Sequence, residues 1–156
     1  MAGSLEPGAK APAFKLFRDG GGTVELKDFK GKKLVLFFYP QAGTPGCTRE
    51  AIDFNRLRSQ FEKAGTAILG VSVDPIPSQE RFKVKHGLDL PLLSDETKTM
   101  LQAYGVWAKK SLYGKTFMGI VRTSYLIDGT GRVARAWPRV KVEGHAEDVL
   151  AAARAL

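Results

Sequence analysis

The apolar positions of the chain fall into two kinds of segment that alternate along it. Nearly unbroken apolar runs at 32–40 (KKLVLFFYP) and 66–74 (TAILGVSVD) are typical of strands buried on both faces of a sheet. Helical spacing follows each run, at 47–64 and at 77–87, and Gly87 marks the end of the second helix. The pattern predicts strands alternating with helices, which favours a sheet covered on both faces.

Two hairpins and several shorter elements complete the prediction. Hairpins are expected at 13–26, where Gly20-Gly21-Gly22 supplies the turn, and at 122–137 around Asp128-Gly129. The remaining expectations are a short strand at 91–95, helices at 96–105 and 145–156, and a long irregular loop at 106–119. This order predicts an α/β fold with a mixed central sheet, flanking helices and an N-terminal β-hairpin.

The length and the hydrophobic content fit one domain over residues 1–156. A chain of 156 residues with 44% hydrophobic residues can build one core and is too short for two. No apolar run approaches the length of a membrane span, and the chain does not open on a charged stretch followed by a long apolar one. We therefore expect no signal peptide and no membrane partner, with the cytoplasm as the default location.

The charge balance is basic, with a formal net charge of +8. The basic residues are scattered in pairs such as Lys32-Lys33 and Lys109-Lys110, without a long basic tract or a nucleic-acid motif. A solvated basic surface is favoured, and a functional basic patch is the alternative. We expect no nucleic-acid partner.

The single cysteine, Cys47, lies in the run FYPQAGTPGCTREAIDF. One thiol cannot form a disulfide within the chain and cannot supply a cysteine-based metal site. Thr44 is expected to be the N-cap of the following helix and Pro45 its first residue, which places Cys47 in the first turn. Free backbone N–H groups and the positive end of the helix dipole favour a thiolate there.

The helix start alone does not account for a reactive thiolate. An ordinary thiol has a pKa of about 8.5, and lowering that pKa to about 6 requires about 3.4 kcal/mol. A helix terminus contributes about 0.3–1 kcal/mol, up to about 2 kcal/mol in favourable geometry, so a cation is needed as well. The sequence leaves four arginines open for this role: Arg49, Arg58, Arg81 and Arg122. The alternative is an inert buried cysteine, although the Thr-Pro-Gly context favours an accessible helix start.

The run FFYPQAGTPGCTREA resembles the active-site signature of the peroxiredoxins, specifically the bacterioferritin comigratory protein (Q-type) group. Further similarity lies in PAFKL, VSVD, FKVKHGLDLPLLSD, YGVW, YGKTFMGIVRTSYLID and GRV, in the same order along the chain. The resemblance implies a thioredoxin-like fold. It also implies an antioxidant, thiol-dependent peroxidase that reduces hydrogen peroxide and organic hydroperoxides, without a metal or an organic cofactor.

The family pattern Pro-x-x-x-Thr-x-x-Cys coincides with Pro40, Thr44 and Cys47, and the family's active-site arginine coincides with Arg122. The resemblance implies that Cys47 is the peroxidatic nucleophile and that Pro40 shields its sulfur. Thr44 would hydrogen-bond the peroxide, and Arg122 would be the required cation.

Three further residues have supporting roles in the resemblance. Glu50 would orient Arg122, while Tyr39 and Trp107 would help to shape the pocket. His86 and His145 are not expected to be catalytic, because each lies beside a glycine near a helix end.

The chain departs from the family pattern at Ile52, where many members of the group have a second, resolving cysteine. The other family location for that thiol, near FKVKHG, also lacks one. The chain therefore resembles the one-cysteine members, whose sulfenic acid is reduced by an external thiol such as thioredoxin, glutaredoxin or glutathione. The alternative function is a non-catalytic redox sensor that signals through a mixed disulfide at Cys47. A monomer or weak dimer is expected.

The position of Ile52 also predicts how the helix start behaves. Five helical residues separate Cα atoms by roughly 8.6 Å, whereas a disulfide spans at most about 7 Å. A cysteine at 52 would need the helix to unwind, so we expect the first turn of this chain to stay folded during turnover. Ile52 is also expected on the polar face of its helix, opposite Phe54, Leu57 and Phe61.

Overall fold

The computed structural model describes residues 4–156. The strands of the main sheet are β1 (Lys15–Arg18), β2 (Thr23–Glu25), β3 (Lys33–Phe38), β4 (Thr66–Ser72), β5 (Leu92–Ser94), β8 (Thr123–Ile127) and β9 (Val133–Pro138). Strands β6 (Trp107–Leu112) and β7 (Lys115–Ile120) form a separate pair. The helices are α1 (Pro45–Arg56), α2 (Arg58–Lys63), α3 (Ile76–His86), α4 (Thr99–Ala103) and α5 (His145–Ala155), and a 3-10 turn covers Leu26–Phe29. None of the helices in this part of the chain is long and apolar enough to cross a membrane.

The main sheet is mixed, in the order β2-β1-β5-β4-β3-β8-β9. Strand β3 runs parallel to β4 and antiparallel to β8, and β4 runs parallel to β5. The apolar run at 32–40 occupies the centre of this sheet, because a strand with neighbours on both edges and layers on both faces leaves no position for polar side chains. The mixed central sheet, the N-terminal hairpin β1–β2 and the hairpin β8–β9 are as predicted.

Side chains of β3 alternate between two core clusters, one on each face of the sheet. Val35 and Phe37 belong to the cluster that also contains Cys47, whereas Leu36 and Phe38 belong to the other. This alternation follows from the two-residue period of a strand. Helices α1 and α5 cover the first face, so the thiol and the residues around it lie on that side.

The prediction of an irregular loop at 106–119 was wrong. Strands β6 and β7 pair antiparallel from Trp107↔Ile120 to Leu112↔Lys115. Tyr113 and Gly114 form the two-residue turn with φ values of 51° and 75°. A two-residue hairpin turn with both residues at positive φ usually has Asn-Gly or Asp-Gly, and the tyrosine concealed that signal.

The helix predicted at 47–64, with Pro45 at its first position, is corrected in one respect. It begins at Pro45 as expected, but it is interrupted at Leu57, whose φ and ψ are −92° and 1°. The predicted apolar stripe continues across the interruption, since Phe54, Leu57 and Phe61 are all buried. Ile52 is 40% exposed on the opposite side, as the helical periodicity predicted.

Candidate active site

The segment between β3 and α1 brings the cysteine to the start of a helix. Thr44 is the N-cap residue and Pro45 occupies the first helical position, so the predicted helix start is confirmed. The predicted side-chain cap is wrong. Thr44 Oγ1 instead donates to the carbonyl oxygen of Gln41 at 2.8 Å, and this bond closes the 41–44 loop. The threonine side chain also accepts no hydrogen bond from the first-turn amides of α1, which remain beside the cysteine.

Cys47 is almost completely buried, with 1% of its surface exposed, which corrects the expectation of an accessible thiol. Its neighbours in the core cluster include Phe37, Tyr39 and Ala51. The sulfur is not in a purely apolar environment, because Arg122 Nη2 lies 3.2 Å from Cys47 Sγ. An inert core cysteine would not require this contact with a guanidinium.

Arg122 lies in the two-residue link between β7 and β8 and donates to two acidic groups. Its Nη2 faces the sulfur, and its Nη1 donates to Glu50 Oε1 at 2.7 Å. Gly46 permits this approach, since a Cβ atom at that position would lie 3.2 Å from Arg122 Nη2. The backbone of Arg122 is held as well, because its carbonyl oxygen accepts from Val140 N at 2.9 Å.

The other three candidate arginines have partners elsewhere. Arg49 pairs with Asp53 at 3.9 Å, and Arg58 pairs with Asp89 at 3.2 Å. Arg81 donates to Ser78 Oγ at 3.1 Å. Residue chemistry alone left these four arginines open, and Arg122, to which the resemblance pointed, is the one that contacts the sulfur.

Glu50 is fully buried in the first turns of α1, three residues after the cysteine. Burial raises the pKa of Glu50 to about 7, although the charge of Arg122 and its hydrogen bond act in the opposite direction. Oε2 of this carboxyl group has no hydrogen-bond partner among the described residues. One guanidinium thus faces two acidic groups in a buried site, and a single positive charge cannot neutralise both anions.

Tyr39 forms part of the wall behind the thiol. Its hydroxyl group donates to Gln79 Oε1 at 2.6 Å, and Gln79 Nε2 in turn donates to Leu93 O and Ser72 Oγ. Burial raises the pKa of Tyr39 above its ordinary value, so the ring remains neutral. The network fixes the ring in the same core cluster as Cys47.

Pro40 and Trp107 occupy different surroundings. Pro40 is half-buried and links Tyr39 to the 41–44 loop, next to the helix that carries the thiol. Trp107 packs against the core cluster on the opposite face of the sheet, with Lys98 Nζ 5.5 Å from its ring centroid. The structure therefore does not place Trp107 in the cluster of Cys47, and its role in the pocket stays a prediction.

His145 lies close to this site although sequence reasoning gave it no role. It is buried at the start of α5, and its Nε2 is 2.8 Å from Ser124 Oγ. Its ring contacts Phe54 and Trp137 edge to face. Burial lowers the pKa of His145 to about 4, and the charge of Arg122 acts in the same direction against that of Asp148. No sequence signal identifies this residue, because its partners come from distant segments.

Residues that could hold a metal ion are not brought together in the described part of the chain, which contains no group of three His, Cys, Asp or Glu side chains with suitable positions. The site as it stands consists of a thiol, a guanidinium, a carboxyl group and helix amides. In this arrangement the guanidinium and the helix amides can stabilise an anion and the negative charge that develops as an oxygen–oxygen bond breaks.

Comparison with known proteins gives a consistent result. The sequence model of the AhpC/TSA family matches residues 7–136. The chain is 46% identical to a putative peroxiredoxin Bcp of Coxiella burnetii over 94% of this chain and 97% of that protein. It is 44% identical to peroxiredoxin Bcp of Bacillus subtilis over 94% of each chain.

Solved structures extend the comparison to three dimensions. A peroxiredoxin Q structure from Xanthomonas campestris superposes with a TM-score of 0.89 at 43% identity, covering 99% of this chain and 97% of that one. A mutant of PrxQ from Xylella fastidiosa superposes with a TM-score of 0.93 at 36% identity, covering 98% of both chains. Another Xanthomonas campestris structure, of a bacterioferritin comigratory protein described by its alkyl peroxide reduction activity, has a TM-score of 0.88 at 42% identity, covering 99% of this chain and 98% of that one.

Proposed function

Because the chain belongs to the AhpC/TSA family of peroxiredoxins, we propose that Cys47 is the group through which it reduces peroxides. The protein is a thiol-dependent peroxidase, an oxidoreductase that uses a peroxide and a thiol reductant. The predicted family, the predicted thioredoxin-like fold and the predicted activity are therefore confirmed. What the comparisons do not assign is the part that each residue plays.

The proposed first step is an attack of the Cys47 thiolate on one peroxide oxygen. A sulfur–oxygen bond forms and the oxygen–oxygen bond breaks, which leaves a sulfenic acid on Cys47. The other oxygen takes up a proton and leaves as water or as an alcohol. The sulfur loses two electrons and the peroxide gains them, so the step needs no further redox group.

Arg122 is proposed to stabilise the charge in this step. Its Nη2, 3.2 Å from the sulfur, can stabilise the thiolate before attack and the charge on the oxygens as their bond breaks. Glu50 holds the other end of the guanidinium at 2.7 Å and so fixes its orientation. The first-turn amides of α1 supply fixed partial positive charge on the same side.

Thr44, Pro40 and Tyr39 complete the proposed site. The Thr44 hydroxyl donates a hydrogen bond to Gln41 O, so its oxygen is oriented to accept a hydrogen bond from the peroxide. Pro40 is proposed to shield the sulfur, and Tyr39 forms the inner wall. For Trp107 we propose only a contribution to the rim of the peroxide pocket.

Recycling of the sulfenic acid is proposed to need a thiol from another molecule, since the chain has one cysteine. Thioredoxin, glutaredoxin and glutathione are the candidate reductants. Such thiols are kept reduced in the cytoplasm, which is the proposed location. We propose a monomer or weak dimer that reduces both hydrogen peroxide and organic hydroperoxides.

The contact between Cys47 Sγ and Arg122 Nη2 is the single observation that carries this assignment. A steady-state peroxidase assay with hydrogen peroxide and with an alkyl hydroperoxide tests it, run with each reductant in turn. We expect many turnovers for the unaltered chain and none for Cys47→Ser. One oxidation per chain without turnover would favour the redox sensor, and turnover by Cys47→Ser would remove the cysteine from the mechanism.

A further inference from the structure

The β6–β7 hairpin, residues 107–120, carries a concentration of exposed apolar side chains. Four of the eight large apolar residues exposed within 4–156 belong to it: Leu112, Tyr113, Phe117 and Met118. Single exposed apolar residues are ordinary on a protein surface, whereas a concentration of them indicates an interaction site. Leu112 and Phe117 share one face of the hairpin and Met118 lies on the other, with Tyr113 at the tip. The hairpin is separate from the seven-stranded sheet and pairs only within itself in this part of the chain.

Tyr113 is the most informative of these residues. It is 95% exposed at the tip of the hairpin and adopts a left-handed φ of 51°. Asparagine, aspartate or glycine adopts that conformation with less strain, so a tyrosine weakens the turn. A ring with 95% exposure gains almost nothing from packing within the chain. The strain is therefore not offset by contacts within the chain, which points to contacts made with another molecule.

The charge of the hairpin restricts what that molecule can be. The hairpin contains Lys109, Lys110 and Lys115, and the sequence has no acidic residue between Glu96 and Asp128. The structure shows no ion pair for these three lysines within residues 4–156, and Lys110 Nζ donates to the carbonyl oxygen of Ile120. A second copy of this hairpin would be repelled, whereas an acidic partner would be attracted.

The base of the hairpin adjoins the catalytic site. Strand β7 ends at Ile120, two residues before Arg122, whose guanidinium contacts Cys47 Sγ. The hydrogen bond from Val121 N to Val106 O holds this base at 2.8 Å. The tip lies about 17 Å further along the strands, at about 3.3 Å per residue. A small thiol cannot contact the tip while it reacts near the base, whereas a protein domain about 30 Å across can do both.

We propose that the β6–β7 hairpin is the docking surface for an acidic protein that carries the reducing pair of thiols. The proposal rests on the proposed function, because it assumes that Cys47 forms a sulfenic acid. Leu112 and Tyr113 supply the apolar centre of the contact at the tip. Lys115 lies on the face of Leu112 and Lys109 on the other face, so the two charges flank the tip and increase the rate of encounter.

The chemistry of the docked step balances without a further reagent. One thiol of the partner attacks the sulfenic sulfur of Cys47, a mixed disulfide forms and water leaves. The second thiol of the partner then attacks the partner's first sulfur in the mixed disulfide. Cys47 is released as a thiol, and the partner leaves with an internal disulfide. Two electrons pass from the dithiol to the chain in each cycle.

The test compares a protein reductant with a small one in the same variants. The probes are an acidic thioredoxin and dithiothreitol, with hydrogen peroxide as the oxidant. One variant combines Leu112→Ser with Tyr113→Ser, and a second combines Lys109→Gln with Lys115→Gln. The matched control is Phe17→Ser, which removes an apolar side chain that is 67% exposed on the other hairpin.

We expect kcat/KM for thioredoxin to fall about tenfold in the apolar double variant and about fivefold in the lysine double variant at low salt. The lysine effect should disappear at high salt, since exposed charges are screened. Turnover with dithiothreitol should be unchanged throughout, and Phe17→Ser should match the unaltered chain with both reductants.

Several outcomes would overturn the proposal. Unchanged kcat/KM for thioredoxin, or an equal loss with dithiothreitol, would show that the hairpin does not recognise a protein reductant. Turnover of the unaltered chain with dithiothreitol but not with thioredoxin or glutaredoxin would also show that the hairpin does not recognise a protein reductant. Binding of the unaltered chain to vesicles of anionic phospholipid, abolished by the same variants, would assign the hairpin to a membrane surface, and a variant-dependent change in sedimentation would assign it to self-association. Failure of the proposed function is distinguishable, because Cys47 would then form no sulfenic acid when peroxide alone is added.

Discussion

Glu50→Gln tests how the active site holds two acidic groups against one cation. The substitution keeps the size of the side chain and an oxygen that can accept from Arg122 Nη1, now 2.7 Å from Oε1. It removes the ability of residue 50 to become charged. The measurement is best made in a Cys47→Ser background, so that Glu50 is observed without a second acidic group on the same guanidinium.

The expected size of the effect follows from burial. Burial raises the pKa of Glu50 from its ordinary value of 4.5 to about 7 in the folded chain. At about 1.4 kcal/mol per pKa unit, this interval corresponds to about 3 kcal/mol. The folded chain binds the proton more tightly than the unfolded chain, so the stabilisation is complete below about pH 4.5 and is lost as the pH rises through about 7.

Urea unfolding of the two proteins at a series of pH values provides the assay. We expect the free energy of unfolding of the Glu50 protein, relative to the Glu50→Gln variant, to fall by about 3 kcal/mol between pH 4.5 and pH 7.5. The comparison with the variant is essential because of His145. Burial lowers the pKa of His145 to about 4, so its contribution is present above about pH 6.5 and is lost as the pH falls through about 4. The two groups thus oppose one another in the same pH range.

A difference that stays constant from pH 4.5 to pH 7.5 would refute this reasoning. It would mean that Arg122 holds Glu50 ionised throughout, and that the unpartnered Oε2 atom carries no energetic cost. The control is His145→Gln in the same background. In that variant the free energy of unfolding should no longer fall with decreasing pH below about pH 6.5. The difference between Glu50 and Glu50→Gln should be unchanged.

Three further predictions concern the cation, the sheet and the helix start. Arg122→Lys retains a charge but loses the rigid fork whose two nitrogens contact the sulfur and Glu50 separately. We expect sulfenic acid formation in stopped-flow measurements to slow by at least about tenfold, and an unchanged rate would remove the guanidinium from the mechanism. Gly70→Ala places a Cβ atom 2.8 Å from Phe37 Cζ and 3.1 Å from Leu92 Cδ2, so urea unfolding should show a loss of about 1–3 kcal/mol, and an unchanged midpoint would contradict the close packing of β3 on β4. Hydrogen exchange should leave the amides of 47–52 equally protected in the reduced and peroxide-treated protein, and rapid exchange confined to the oxidised form would show that the helix start unwinds.

Local patterns determined much of the fold. The nearly unbroken apolar run of β3 predicted a central strand, because both faces of such a strand are covered and neither can hold polar side chains. Thr44-Pro45 predicted where α1 begins, since proline at the first helical position requires no backbone donor. The same stretch also carried the family signature, and the count of one cysteine excluded an internal disulfide cycle.

Local patterns failed to predict a hairpin turn, a side-chain hydrogen bond and a helix interruption. The hairpin turn at Tyr113-Gly114 was missed because tyrosine is a poor residue for its conformation. The Thr44 hydroxyl was expected to cap α1, but it donates to Gln41 O and accepts no hydrogen bond from the first-turn amides. The interruption at Leu57 has no glycine or proline to signal it.

The sequence by itself determined that Cys47 begins a helix and that its reactivity requires a cation, because both conclusions rest on neighbouring residues and on the known energy of a helix terminus. The resemblance to the family implied Arg122, but only the tertiary structure shows which arginine contacts the sulfur. Arg122 is 75 residues from the cysteine and 72 from Glu50 along the chain, and four arginines met the chemical requirement equally well. The antiparallel pairing of β8 with β3 brings one of them to the sulfur, and such pairing depends on packing across the whole sheet rather than on any local pattern.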